Sequence, residues 1–192
     1  MTSSVLTWSI AALLLFWAVG AYNRLMRLRA DANSAFAAVE AEIARQVELV
    51  RTQLPGPDAT QPAPLEADSG SFWGGLHAAA NQLAATLASA RAKPLDPANI
   101  AALSAAQDVM RAAWERTERD DAHDLAGPQL PDTVLLRRAH LLLQAHAVTE
   151  SFNQAVTRYN DAIQQFPALV LAWLFGFRPA RSLGAVIVPQ LP

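Results

Sequence analysis

The chain has 192 residues, 15 Lys plus Arg against 17 Asp plus Glu for a formal charge of −2, and no cysteine. Disulfides, thiolate nucleophiles and cysteine-type zinc sites are therefore excluded, no global positive field favours nucleic acid, and the length suits one ordinary domain beside an anchor. Helix formers such as Ala, Leu, Arg, Gln and Glu abound, while β-branched runs are confined to AVIV at 185–188, so the expected class is all-α.

The first charged side chain after the amino terminus is Arg24, and the 19 residues before it, SVLTWSIAALLLFWAVGAY at 4–22, are dominated by apolar types. At ~1.5 Å per residue they make roughly 28 Å of helix, close to the ~30 Å hydrocarbon thickness of a bilayer. Trp8 falls toward one end and Trp17 and Tyr22 toward the other, where amphipathic rings favour the headgroup layer. Arg24, Arg27 and Arg29 follow the span, whereas the residues before it carry only the terminal amine. The positive-inside rule then predicts a single pass with a short outer amino terminus and a cytoplasmic body. A cleaved secretory signal is the rival reading, because Ala18-Val19-Gly20 offers small residues. Its polarity is reversed, since a signal carries its basic residues before the apolar core.

With no turn residue to interrupt it, the span runs into a charged amphipathic segment, Asn23 to Leu54. There Leu25, Leu28, Ala32, Phe36, Val39, Ile43, Val47, Val50 and Leu54 recur at steps of three and four, one buried stripe of a straight helix. Arg29, Glu40, Glu42, Arg45, Glu48 and Arg51 mostly take other faces and read as a solvated surface. Pro55-Gly56-Pro57 ends the helix, and an exposed flexible loop is expected to Ser71.

Ser71 is expected to cap a second helix, Phe72 to about Ala92, with Phe72, Leu76, Ala80, Leu83 and Leu87 on its stripe and Gly74-Gly75 weakening its first turn. Lys93-Pro94 stops it. Asp96-Pro97 restarts the chain as an N-cap followed by proline at the first helical position, leading Ile100, Leu103, Gln107, Met110 and Trp114. A second loop, Asp120 to Pro131, precedes a long helix capped by Asp132 or Thr133 and running to Phe166. Its stripe is Leu135, Leu142, Ala145, Thr149, Phe152, Val156, Tyr159, Ile163 and Phe166, close to a coiled-coil heptad from Leu142 onward and read as bundle packing. The expected architecture is a transmembrane helix continuous with an antiparallel up-and-down four-helix bundle: anchor 1–23, bundle domain 24–192, apolar tail 168–192.

Such a bundle returns its fourth helix toward the membrane. The tail ALVLAWLFGF, 168–177, is too short to span and is followed by Arg178 and Arg181. Trp173, Phe175 and Phe177, with those arginines, are candidates for the headgroup layer together with Trp8, Trp17, Tyr22, Arg24, Arg27 and Arg29. The favoured alternative is that the tail closes the base of the bundle core.

Both ends of the domain resemble the LemA family. The residues that carry this are Tyr22-Asn23-Arg24-Leu25 with Leu28-Arg29, then Phe152 to Pro167 (FNQAVTRYNDAIQQFP) and Leu174-Phe175-Gly176-Phe177-Arg178-Pro179. The family pattern is a YNxLxxLR start, a YNxAVxxYNxxIxxFP end and a GFxP element. The middle departs from it, with a Pro-rich loop after Gln53. The resemblance implies a helical-bundle membrane protein without established catalysis, in which Tyr22, Asn23, Asn153, Tyr159, Asn160, Phe166, Pro167, Gly176 and Pro179 are structural. The polar members are expected to satisfy one another at the seam of the first and fourth helices.

Chemistry is sparse. His77, His123, His140 and His146 show no metal spacing, and no phosphate-loop, dinucleotide, zinc-protease or nucleophile-elbow motif occurs. Carboxylates cluster at Glu115, Glu118, Asp120, Asp121 and Asp124, but Arg116 and Arg119 are interleaved, so a solvated helix end is the expected account. No cofactor, metal or catalytic residue is expected. The function expected is a membrane-anchored scaffold or protein-interaction module, with the bilayer and an unidentified protein as partners, no nucleic acid, and room for a homo-oligomer. The alternatives are a small-ligand sensor or enzyme with an intra-bundle pocket, using Asn153, Gln107 and His146, and membrane-surface remodelling through the tail.

Overall fold

A computed structural model describes residues 2–56, 73–123, 130–166, 168–184 and 186. Among them the chain is all-helical: α1 (Thr2–Gln53), α2 (Gly74–Ala92), α3 (Pro97–His123), α4 (Asp132–Gln164) and α5 (Ala168–Phe175). The loop expected over 57–71, the Ser71 cap, Phe72 and Pro167 lie outside the described residues.

α1 is one unbroken helix of 52 residues. Its two halves live in different surroundings. Every described side chain from Val5 to Trp17 is exposed, whereas Leu25, Ala32, Phe36, Val39, Ile43, Val47 and Val50 are buried. The change falls where the sequence turns from uniformly apolar to amphipathic, because a helix apolar on all sides has no single face to pack.

The buried half packs against α4 and α2, and α2 packs against α3. Phe36 of α1 meets Phe152 of α4 edge to face, ring centroids 5.6 Å apart, both essentially solvent-free. Such a pair contributes about 0.5–1.5 kcal/mol beyond its buried area. Along α1 and α2, Glu40 pairs with Arg91 and Arg51 donates to Asn81. At the start of α3, Asp96 Oδ1 accepts the amides of Ala98 and Asn99 at 2.9 and 3.2 Å, the expected cap ahead of Pro97.

Four expectations are corrected. First, α4 begins at Asp132 with Pro131 in the cap position, and the Pro131 carbonyl takes the amides of Val134 and Leu135, so neither Asp132 nor Thr133 caps it. Second, α4 ends at Gln164, which leaves Phe166 outside the helix and exposed rather than on its stripe. Third, the upper part of that stripe is carried by Val134 and Leu141, with Leu135 and Leu142 only half-buried. Leu142 lines an open cavity, which accounts for its partial exposure. Fourth, Glu42 is buried: Oε1 pairs with Arg45, while the buried Oε2 has no hydrogen-bond partner. It stands directly before Ile43 on the packed side, where a carboxylate is costly to desolvate.

No close backbone approach joins α3 to α4 among the described residues. Arg138 of α4 reaches Trp114 and Glu118 of α3, and the chain after α5 bridges the two helices lower down, an arrangement that builds the site described next.

Candidate membrane-proximal site

After α4 the chain passes Phe166 and starts α5, whose first turn is tied back by the Leu169 amide to the Gln165 carbonyl at 2.9 Å. α5 ends where Gly176 takes φ +69° and Phe177 N–H reaches back to the Ala172 carbonyl at 2.9 Å. That six-to-one bond with a left-handed glycine is the Schellman termination, and only glycine enters the left-handed region without cost. Phe177 is half-buried against the core and Ala172 is buried, the apolar contact this motif favours.

The segment 177–184 then runs along α4 in non-helical form, and three α4 side chains hold its backbone. Tyr159 Oη donates to the Arg178 carbonyl at 3.0 Å. Asn160 Oδ1 accepts Ala180 N–H and its Nδ2 donates to Ala180 O, each at 2.9 Å. Asn153 does the same for Leu183, at 2.9 and 3.1 Å. Finally Gly184 N–H reaches Ser104 Oγ of α3 at 3.4 Å.

The register follows from two rises. Seven helical residues from Asn153 to Asn160 cover about 10.5 Å at ~1.5 Å each. Three extended residues from Ala180 to Leu183 cover about 10 Å at ~3.3 Å each. Two asparagines one heptad apart can therefore each grip a peptide unit three residues apart, the two chains running in opposite directions. Ala180 and Leu183 turn inward and are buried, while Arg181 and Ser182 between them are exposed. Backbone amides and carbonyls that a packed tail takes from water are thereby satisfied.

This corrects the expected seam. Tyr159 and Asn160 bond the tail backbone rather than Tyr22 or Asn23, and Asn23 is exposed. Tyr22 contributes its ring: it meets Phe175 at 5.0 Å and Phe177 at 6.1 Å between centroids. Burial pushes the Tyr159 phenol above its ordinary range, with Arg29 pulling the other way. Sequence periodicity alone does not mark Ala180, Leu183 or Ser104. The readable signal for them is the heptad pair Asn153 and Asn160 set against small and aliphatic residues spaced by three.

The expectation that the tail closes the core is met only in part: Ala180 and Leu183 join the core and Phe177 packs on it, but the large apolar side chains of α5 do not. Of the eight residues of α5 only Ala172 is buried, and Leu169, Val170, Trp173, Leu174 and Phe175 are exposed. The remaining interface candidates divide by burial. Trp8, Trp17, Arg24, Arg27, Arg29, Arg178 and Arg181 are exposed, and Tyr22 and Phe177 are half-buried; Pro179, expected as a structural residue, is exposed as well.

Elsewhere several charged groups are paired. Arg138 lies over the Trp114 ring at 4.8 Å and pairs with Glu118, and burial lowers its pKa against the opposing pull of Glu118 and Glu115. Arg111 pairs with Asp108 and Glu115. Of the expected acidic cluster, Glu115 and Glu118 are thus engaged with arginine, and the side chains of Asp120, Asp121 and Asp124 lie outside the described residues. His77 is buried, its Nε2–H donating to the Pro55 carbonyl at 2.8 Å, while His140 and His146 are exposed and the His123 side chain is undescribed. A partly open cavity of about 80 Å³ is lined by Gln46, Leu49, Gln107, Met110, Arg138 and Gly184 among others. Asn153, Gln107 and His146 do not converge on it: Asn153 is engaged with Leu183 and His146 faces solvent.

Among the described residues one helix is long and apolar enough to cross a membrane, near the amino terminus, and none of its most apolar window is buried. Compared with known proteins, the chain matches no family model, no curated sequence and no solved structure.

Proposed function

We propose that this chain is a single-pass membrane protein whose body is an antiparallel four-helix bundle of the LemA type, acting as a scaffold or protein-interaction module on the cytoplasmic face. The observation that carries this reading is the change along α1 from an apolar stretch exposed from Val5 to Trp17 to an amphipathic half with a buried stripe, with no break between them. A helix joined rigidly to both a bilayer and a core fixes the body's height and tilt, which suits a scaffold. The cross-contacts favour the up-and-down order. Position 36 meets 152, while 40 and 51 meet 91 and 81, so partners fall as α1 advances along α2. Exposed Arg24, Arg27 and Arg29 directly after the span support a cytoplasmic body and an outer amino terminus.

Alkaline extraction of native membranes followed by intact-mass measurement tests the anchor. The reading expects the protein to stay with the pellet and to retain residues 4–22. Release into the supernatant, or a mass lacking those residues, would sink it. Photocrosslinking from exposed positions on α4, such as Leu136 and Leu143, tests the scaffold half: a discrete membrane-protein adduct is expected, and its absence from every exposed face leaves the body without a partner.

A further inference from the structure

We propose that α5 is a second membrane contact, its outward face lying in the headgroup layer of the bilayer that the span crosses, with Arg178 and Arg181 meeting anionic lipid. The inference rests on the reading of residues 4–22 as membrane-spanning. Four observations on this site carry it.

The first is the surface itself. Trp173 is 83 % and Phe166 82 % exposed, and Leu169, Val170, Leu174 and Phe175 are more than half or half exposed beside them. A contiguous apolar patch of this kind marks an interaction site rather than an ordinary surface. The second is position. Tyr22, which ends the span, packs on Phe175, so α5 stands at the level where the apolar half of α1 stops. At ~1.5 Å per residue, that level is the far side of the hydrocarbon core from residue 4. Third, α5 is held in place: it packs against α1 and α4, and the chain after it is fixed by the Tyr159 and Asn160 bonds to Arg178 and Ala180. With Ala172 pinned inward, the helix cannot roll its aromatic residues into the core. Fourth, charge agrees with a lipid occupant. Arg178 and Arg181 are exposed at the edge of the patch, α5 itself carries no charge, and Arg24, Arg27 and Arg29 lie on the neighbouring turns of α1. Interfacial helices pair an apolar face with such cations, and each basic residue near an anionic surface adds attraction.

The absence of native cysteine permits a direct test on the full chain. Single variants Trp173→Cys, Leu174→Cys, Phe16→Cys and Leu143→Cys carry an environment-sensitive fluorophore and are reconstituted in phosphatidylcholine vesicles with and without phosphatidylglycerol. Nitroxide groups are placed on the lipid at shallow or deep positions. The expected result is strong quenching of 173 and 174 by the shallow nitroxide, quenching of 16 by the deep one, and none at 143. Labels at 173 and 174 that behave like 143 while 16 is quenched overturn the α5 contact and leave the span intact. Failure at 16 as well overturns the anchor and this inference together. Shielding of 173 and 174 from an aqueous quencher without nitroxide quenching means that protein covers α5, which also overturns it. Arg178→Glu with Arg181→Glu is expected to abolish the gain in quenching that phosphatidylglycerol brings.

Discussion

Asn160 grips Ala180 from both sides of one residue, its Oδ1 taking the backbone N–H and its Nδ2 reaching the carbonyl, each at 2.9 Å. Asn153 repeats this with Leu183. Such a side chain replaces a neighbouring strand, so the tail packs against α4 without leaving peptide groups bare. Asn160→Ala and Asn153→Ala each leave two tail groups without partners and are expected to cost about 1–3 kcal/mol. Chemical denaturation measures the loss. Limited proteolysis should show cleavage within 177–184 in the variants well before cleavage of the helices.

The Tyr159 phenol gives the same contact a pH dependence. Its pKa is raised by burial, so the protonated donor is the folded form. Stability from this group is fully present below the unfolded value near 10 and is lost as pH rises through the higher folded value. Wild type minus Tyr159→Phe, measured by thermal melting between pH 7 and 11, should show a constant advantage of about 1 kcal/mol at neutral pH. The gap should close above about pH 10. A gap that widens there would contradict the contact.

Much of this fold is legible from particular residues. Arg24 as the first charge marks where the exposed apolar part of α1 gives way to its packed part, Asp96-Pro97 marks the start of α3, and the stripe from Leu25 to Val50 is the packed face of α1. The tail was harder to read. Asn153 and Asn160 read from sequence as partners for other side chains, because a backbone partner leaves no residue signature. The apolar run at 168–175 suggested core, yet eight helical residues have room to bury one narrow face, and Ala172 takes it. Glu42 escaped because periodicity assigns faces in steps of about 100°, too coarse to separate a flank that packs from one that does not.

Glu42 supplies a prediction of the opposite sign. Its Oε2 is buried without a hydrogen bond, and Arg45 is more than half exposed and can be solvated alone. Glu42→Met should therefore leave the protein unharmed or stabilise it by about 1 kcal/mol, because an apolar side chain of similar volume has no charge to desolvate. A loss above that size in a denaturation curve would show that the carboxylate is matched by its surroundings.

Arg138 is bound more tightly than a surface cation, its side chain 12 % exposed between Trp114 and Glu118. Arg138→Lys keeps the charge but loses the planar fork and the flat stacking surface. It should cost about 1–2 kcal/mol, and Glu118→Gln, which strands a partly buried guanidinium, a comparable amount. Adding salt should rescue neither, since a pair shielded from water is weakly screened.

The central claim is that α1 crosses a bilayer once and continues as the core helix of a body on the other side. The most direct measurement labels two single-cysteine full chains, Ser3→Cys and Ala38→Cys, with a membrane-impermeant maleimide in intact cells and again after permeabilisation. The account predicts that position 3 reacts in intact cells and position 38 only once the membrane is opened. Equal labelling of both positions before permeabilisation would contradict it.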